Sequence, residues 1–191
     1  MSHRSSRTRA ATLVLLMLYA IGHPAAAAQR IVAKAGAVYL VPAGSPVKFA
    51  STEEWTAASF DGEFVASGTY EIRYLGAPKA DCEVCAQAWS ATLRPTRELA
   101  SRLPHWIRGP VRELDIGNAE AFVDATVDHD VVAQLRSGAL AGVSGRATIR
   151  VDSFKGQIDC DSATYTARFI ELKRPATLTL AARAATEPGN C

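Results

Sequence analysis

From Phe60 onward the chain alternates apolar and polar positions in runs that predict β-strands. Phe64, Ala66, Gly68, Tyr70, Ile72 and Tyr74 fall on one side of a period-2 segment, with Thr69, Glu71 and Arg73 on the other. Gly68 in mid-run predicts a bulge or bend that lets a long strand curl. A second strand alternates Trp89, Ala91 and Leu93 with Ser90 and Thr92 and stops at Pro95. Residues 119–127 alternate again, setting Ala121, Val123, Ala125 and Val127 against Glu120, Asp124 and Thr126. Arg146 to Phe154 is the cleanest run, Ala147, Ile149, Val151 and Ser153 opposing Thr148, Arg150, Asp152 and Phe154. Thr164–Leu172 and Ala176–Arg183 complete the series across Lys173-Arg174-Pro175.

Upstream, Val38–Val41 is β-rich and runs into a loop at Pro42–Pro46. Residues 47–60 are ambiguous, and Glu53-Glu54-Trp55 fits a helical turn capped by Ser51 or Thr52. Two short helices are expected. One covers Arg97–Leu103; the other starts at an Asp128 N-cap, runs through Val131, Val132 and Leu135, and ends near Gly138. The core should draw on Phe64, Tyr70, Ile72, Trp89, Val123, Leu135, Ile149, Val151 and Phe169.

This order is strand, strand, strand, helix, strand, strand, with one further strand. It resembles the OB-fold sequence of elements, a five-stranded barrel here carrying flanking strands. A two-sheet β-sandwich satisfies the same short strands and stays open as the alternative. With no repeat and no linker, the expectation is one β-rich domain over residues 29–191.

The first 28 residues alter the charge balance. Arg4, Arg7 and Arg9 precede the apolar run Ala11–Ile21, which His23-Pro24 breaks before Ala26-Ala27-Ala28. That is the layout of a secretory signal peptide cleaved near Ala28, and the run is too short for a membrane span of about 20 apolar residues. Its removal leaves 163 residues with 18 Lys+Arg against 19 Asp+Glu, so the whole-molecule charge makes no case for nucleic-acid binding. The expected location is the periplasm or outside the cell, with membrane contact only during export.

In an oxidising compartment the four cysteines, Cys82, Cys85, Cys160 and Cys191, read first as structural disulfides. Three pairings are formally allowed. The preferred one joins Cys82 to Cys85 and Cys160 to Cys191. Closing the second loop would stabilise by roughly 3.5 kcal/mol in the chain-entropy model. Two functional readings compete. Cys82 and Cys85 could be the pair of a thiol–disulfide oxidoreductase, although Asp81 and Glu83 would raise the thiol pKa. All four could hold zinc, although Cys160 and Cys191 are not a close pair.

Asp124 with Asp128-His129-Asp130 is the one carboxylate–imidazole cluster. It would suit a metal or general base, but adjacent helical positions point apart, and capping of the first turn explains it more simply. Arg94, Arg97, Arg102, His105, Arg108 and Arg112 surround Trp106 in the most basic stretch. A solvated face is the plain reading; a polyanion or glycan surface is the sharp one. Gly142-Val143-Ser144-Gly145-Arg146 lacks the last glycine of a nucleophile elbow, and phosphate loops, zinc-protease and calcium motifs are missing. The expectation is therefore a non-catalytic accessory or binding module without cofactor, catalytic residue or metal. Its candidate ligand face is Trp89, Arg94, Arg102, Trp106 and Arg108, on and around the segments near 76–94 and 110–127 that an OB barrel would present. The alternatives are the Cys82/Cys85 oxidoreductase and a structural protein–protein interaction module.

Overall fold

The computed structural model describes residues 28–53, 55–77 and 87–182. The chain is mostly β. In order it forms β1 (Gln29–Val32), β2 (Val38–Val41), β3 (Lys48–Thr52), β4 (Ala58–Asp61), β5 (Phe64–Tyr74), β6 (Trp89–Pro95), α1 (Arg97–Ala100), β7 (His105–Trp106), β8 (Leu114–Ile116), α2 (Ala119–Thr126), α3 (His129–Ser137), β9 (Leu140–Asp159), β10 (Ser162–Arg174) and β11 (Thr179–Ala182).

Five strands close a ring in the order β5-β6-β8-β10-β9, with β9 pairing back onto β5. Every pairing in it is antiparallel except β8 with β10, which lie parallel through Asp115↔Thr166 and Ile116↔Ala167. A separate three-stranded sheet, β1-β2-β7, sits beside the ring. All nine expected core residues are buried.

The alternation in β5 pairs without a register break to both neighbours, Gly68 lying opposite Pro95 on one side and Ala147 on the other. Gly68 therefore makes no bulge. It allows a close crossing instead, since a Cβ there would lie 2.0 Å from the Arg94 carbonyl oxygen. The bulge falls elsewhere. Ser153 takes φ 52°, and Ser153 and Phe154 together oppose the one residue between Thr166 and Arg168. The inward face shifts by one position there, so Phe154 is buried on what had been the outward series. The bent β9 then serves two neighbours, pairing with β5 before the bulge and β4 after it.

Ala119–Thr126 form a helix, not the third strand expected over 119–127. Ala119, Phe122 and Val123 are buried at helical spacing, while the alanines that suggested alternation, Ala121 and Ala125, face solvent. The Phe122 ring packs against Tyr70 and Phe169, with centroids 5.5 and 5.3 Å away, and so carries α2 onto the ring of strands. The third strand is β8, in which Leu114 and Ile116 are buried around Asp115.

Three smaller expectations also change. The first helix ends at Ala100, and its Thr96 hydroxyl accepts from the Leu99 N–H. The ambiguous 47–60 stretch is the β3–β4 hairpin rather than a helical turn. In α3 the expected bounds hold, with Gly138 at φ 75° closing it, but the Asp128 side chain makes no capping bond.

Candidate functional site

The five residues of the expected ligand face do not share one site, although Trp106 and Arg108 come together. Trp89 is a core residue against Tyr74, at 4.9 Å between centroids. The Arg102 guanidinium donates back to the Gly44 carbonyl. Trp106 is half-buried, and Arg108 lies 4.4 Å over its ring while pairing with Asp161 at 2.8 Å. Arg108 thus has its partners within the fold. Trp106 and Arg108 line a cleft of about 600 Å³ with Arg112, Glu113, Asp115 and Asp161, a set of mixed sign. Burial and the Glu113 carboxylate hold the Asp115 carboxyl above the usual carboxylate range.

Of the five, Arg94 alone joins a site of coherent chemistry. A groove of about 570 Å³ lies on the outer face of β5, β6 and β9, bounded by the 174–177 segment. Strand register places its walls. Thr69 stands opposite Arg94 on one side and Arg146 on the other. Two residues along the same face, Thr148 stands opposite Ser67 and Arg174. Outward residues at i and i+2 share a face, so the two rows lie side by side. The groove is lined by three arginines and five hydroxyl side chains, with no acid and no aromatic among its residues.

The segment after β10 closes one end. The Thr177 N–H donates to the Arg146 carbonyl at 3.0 Å, and the Arg146 N–H donates to the Thr177 hydroxyl at 2.9 Å. The Tyr70 hydroxyl donates to the Thr177 carbonyl at 2.9 Å. Gly145 makes this crossing feasible, because a Cβ there would lie 1.8 Å from the Thr177 carbonyl oxygen.

Neighbouring arginines on these strands are paired. Arg150 lies between Glu63 at 2.8 Å and Glu171 at 3.1 Å, and Arg168 grips Asp152 through two bonds. Arg94 pairs with Glu113 at 2.9 Å at the edge of the groove. Arg146 and Arg174 have no ion-pair partner among the described residues. Two uncompensated guanidiniums beside a row of hydroxyls supply donors only, and arginine forks match the oxygens of carboxylate, sulfate and phosphate groups.

Asp124, Asp128, His129 and Asp130 are all exposed, and among the described residues no three His, Cys, Asp or Glu side chains gather as metal ligands. Cys160 is exposed at the β9–β10 turn and has no disulfide partner among the described residues. Cys82, Cys85 and Cys191 lie outside the described residues, as do the expected signal peptide through residue 27 and the Cys82/Cys85 redox pair. Some apolar side chains of the small sheet and its flank are exposed. There Val32 and Ile107 are half exposed beside Val38.

No known protein family, curated protein or solved structure matches the chain.

Proposed function

We propose that this chain is an exported, non-catalytic binding module that captures an anionic ligand in the groove formed by Arg94, Arg146 and Arg174. The observation carrying this reading is the acid-free arginine and hydroxyl lining of that groove. Its hydroxyls have no neighbouring carboxylate, imidazole or thiol within the lining to act as a base, which suits holding a ligand rather than transforming it. The lack of an aromatic in the lining disfavours stacked nucleobases, in keeping with the acidic balance of residues 29–191. The chemistry favours a ligand with closely spaced sulfate, phosphate or carboxylate groups.

The scaffold in this reading is an OB-type barrel. The ring order β5-β6-β8-β10-β9, with helices between its third and fourth strands, supports it. Export through a signal peptide ending near Ala28 and bridges Cys82–Cys85 and Cys160–Cys191 belong to the same proposal. The test is amide chemical-shift mapping of residues 29–191 with short-chain polyphosphate as the probe. The expected shifts fall on Thr69, Arg146, Thr148 and Thr177. Shifts confined to Trp106, Arg108 and Asp161, or no shifts, overturn the assignment.

A further inference from the structure

We infer that the β3–β4 hairpin tip presents Trp55 as an aromatic platform for a pyranose ring, forming a saccharide site separate from the arginine groove. Trp55 is the most exposed large apolar residue among the described residues, with 75% of its surface in water. It also holds φ 57°, a left-handed conformation disfavoured for a residue with a β-carbon. An exposed aromatic in an unfavourable conformation would ordinarily relax. Here the backbone around it is fastened on every side.

The Ala35 N–H donates to the Trp55 carbonyl at 2.8 Å, and the Glu53 N–H donates to the Ala57 carbonyl at 3.0 Å. The buried Tyr39 hydroxyl donates to the Thr56 carbonyl at 2.7 Å. The Thr56 hydroxyl donates to the Ile158 carbonyl at 2.5 Å, which ties the tip to β9. These bonds fix the position of the Trp55 backbone while its side chain stays free. Such pre-organisation lowers the ordering cost of binding.

Across a cleft of about 430 Å³ stand Glu53, Lys155, Gln157 and Asp159. After the bulge at Ser153, Lys155, Gln157 and Asp159 share the outer face of β9 at every second position. The cleft therefore offers an ammonium, an amide and two carboxylates beside a flat ring. Lys155 and Ser59 hold the Glu53 carboxylate, and the Gln157 amide donates to Asp159 at 3.1 Å. Alternating donors and acceptors suit vicinal hydroxyls, each of which both gives and takes a hydrogen bond. The apolar face of the sugar would lie on the indole.

The experiment is a titration of residues 29–191 with four soluble tetrasaccharides, β-linked glucose, N-acetylglucosamine, xylose and mannose, followed by tryptophan fluorescence and amide shifts. At least one should bind, with shifts on Trp55, Gln157 and Asp159. Trp55→Ala should weaken it about tenfold or more, as expected for an aromatic anchor. The paired variant Arg146→Ala/Arg174→Ala should bind it as the wild type does, which separates this site from the groove. No binding by any of the four, or undiminished binding by a folded Trp55→Ala, overturns the inference.

Discussion

The Asn118 carboxamide engages both backbone polar groups of Phe169, accepting from its N–H at 2.7 Å and donating to its carbonyl at 2.9 Å. The main chain leaves β8 one residue earlier, where the Gly117 N–H donates to the Ala167 carbonyl at 2.9 Å. The side chain thus carries the parallel ladder one step further while the backbone turns into α2. The junction holds Phe122 against Phe169 and completes the ring on that side.

Asn118→Ala should leave two partly buried backbone groups without partners, at a cost of about 1–3 kcal/mol. Urea unfolding followed by far-UV circular dichroism would measure it. An unchanged midpoint would mean that the carboxamide contributes nothing beyond what water supplies.

Gly145→Ala should displace the 174–177 segment, because the added Cβ meets backbone rather than a flexible side chain. Overpacking of this kind costs about 1–3 kcal/mol, equivalent to several degrees in Tm. Polyphosphate binding should weaken in the same variant, since Arg174, Pro175 and Thr177 form one wall of the groove. Tyr70→Phe removes a single bond to that segment and should cost about 1 kcal/mol. Wild-type stability in Gly145→Ala would show that the crossing is loosely held.

Asp115 gives a pH-dependent expectation. Its carboxyl sits above the ordinary range because burial and the Glu113 charge disfavour ionisation. A folded-state pKa above the unfolded value favours folding below the unfolded pKa, and that contribution is lost as pH rises through the folded pKa. Asp115→Asn should therefore be more stable than the wild type at neutral pH, with the difference shrinking as pH falls into the carboxylate range. Melting curves across that range would check it; a constant difference would locate the effect in packing instead.

Much of the fold was legible where bulky residues alternate over a long run. β5, β6 and the first half of β9 follow directly from Phe64–Tyr74, Trp89–Leu93 and Arg146–Val151. α2 was misread because Ala121 and Ala125 count as apolar in a pattern yet are small enough to sit in water, while Phe122 fell on the nominally polar side. β7 and β8 span two and three residues, too short for any period to register. The groove was hidden for a different reason. Thr69, Arg94 and Arg146 become neighbours only through strand register, which bulges and crossings set and which composition does not reveal. The cluster of basic residues around Trp106 was a signal of proximity in sequence, and the fold disperses it.

The proposed bridge from Cys160 to Cys191 makes a separate prediction for the exported protein. Cys191→Ser should lower Tm by about 10 °C if the loop-closure contribution is realised. An unreduced peptide map should find both bridges, with reduction potentials below about −300 mV. Opening of Cys82–Cys85 near about −120 to −200 mV would instead favour the oxidoreductase.

The most direct test of the arginine groove is the salt dependence of polyphosphate binding by residues 29–191. Each phosphate neutralised by an arginine releases counterion, so log Kd should rise with log salt concentration with a slope near one per contact. The wild type should show a slope of about two, one for each guanidinium without an ion-pair partner, and Arg146→Ala/Arg174→Ala a slope near zero with much weaker binding. Equal slopes and equal affinities in the two proteins would contradict the account.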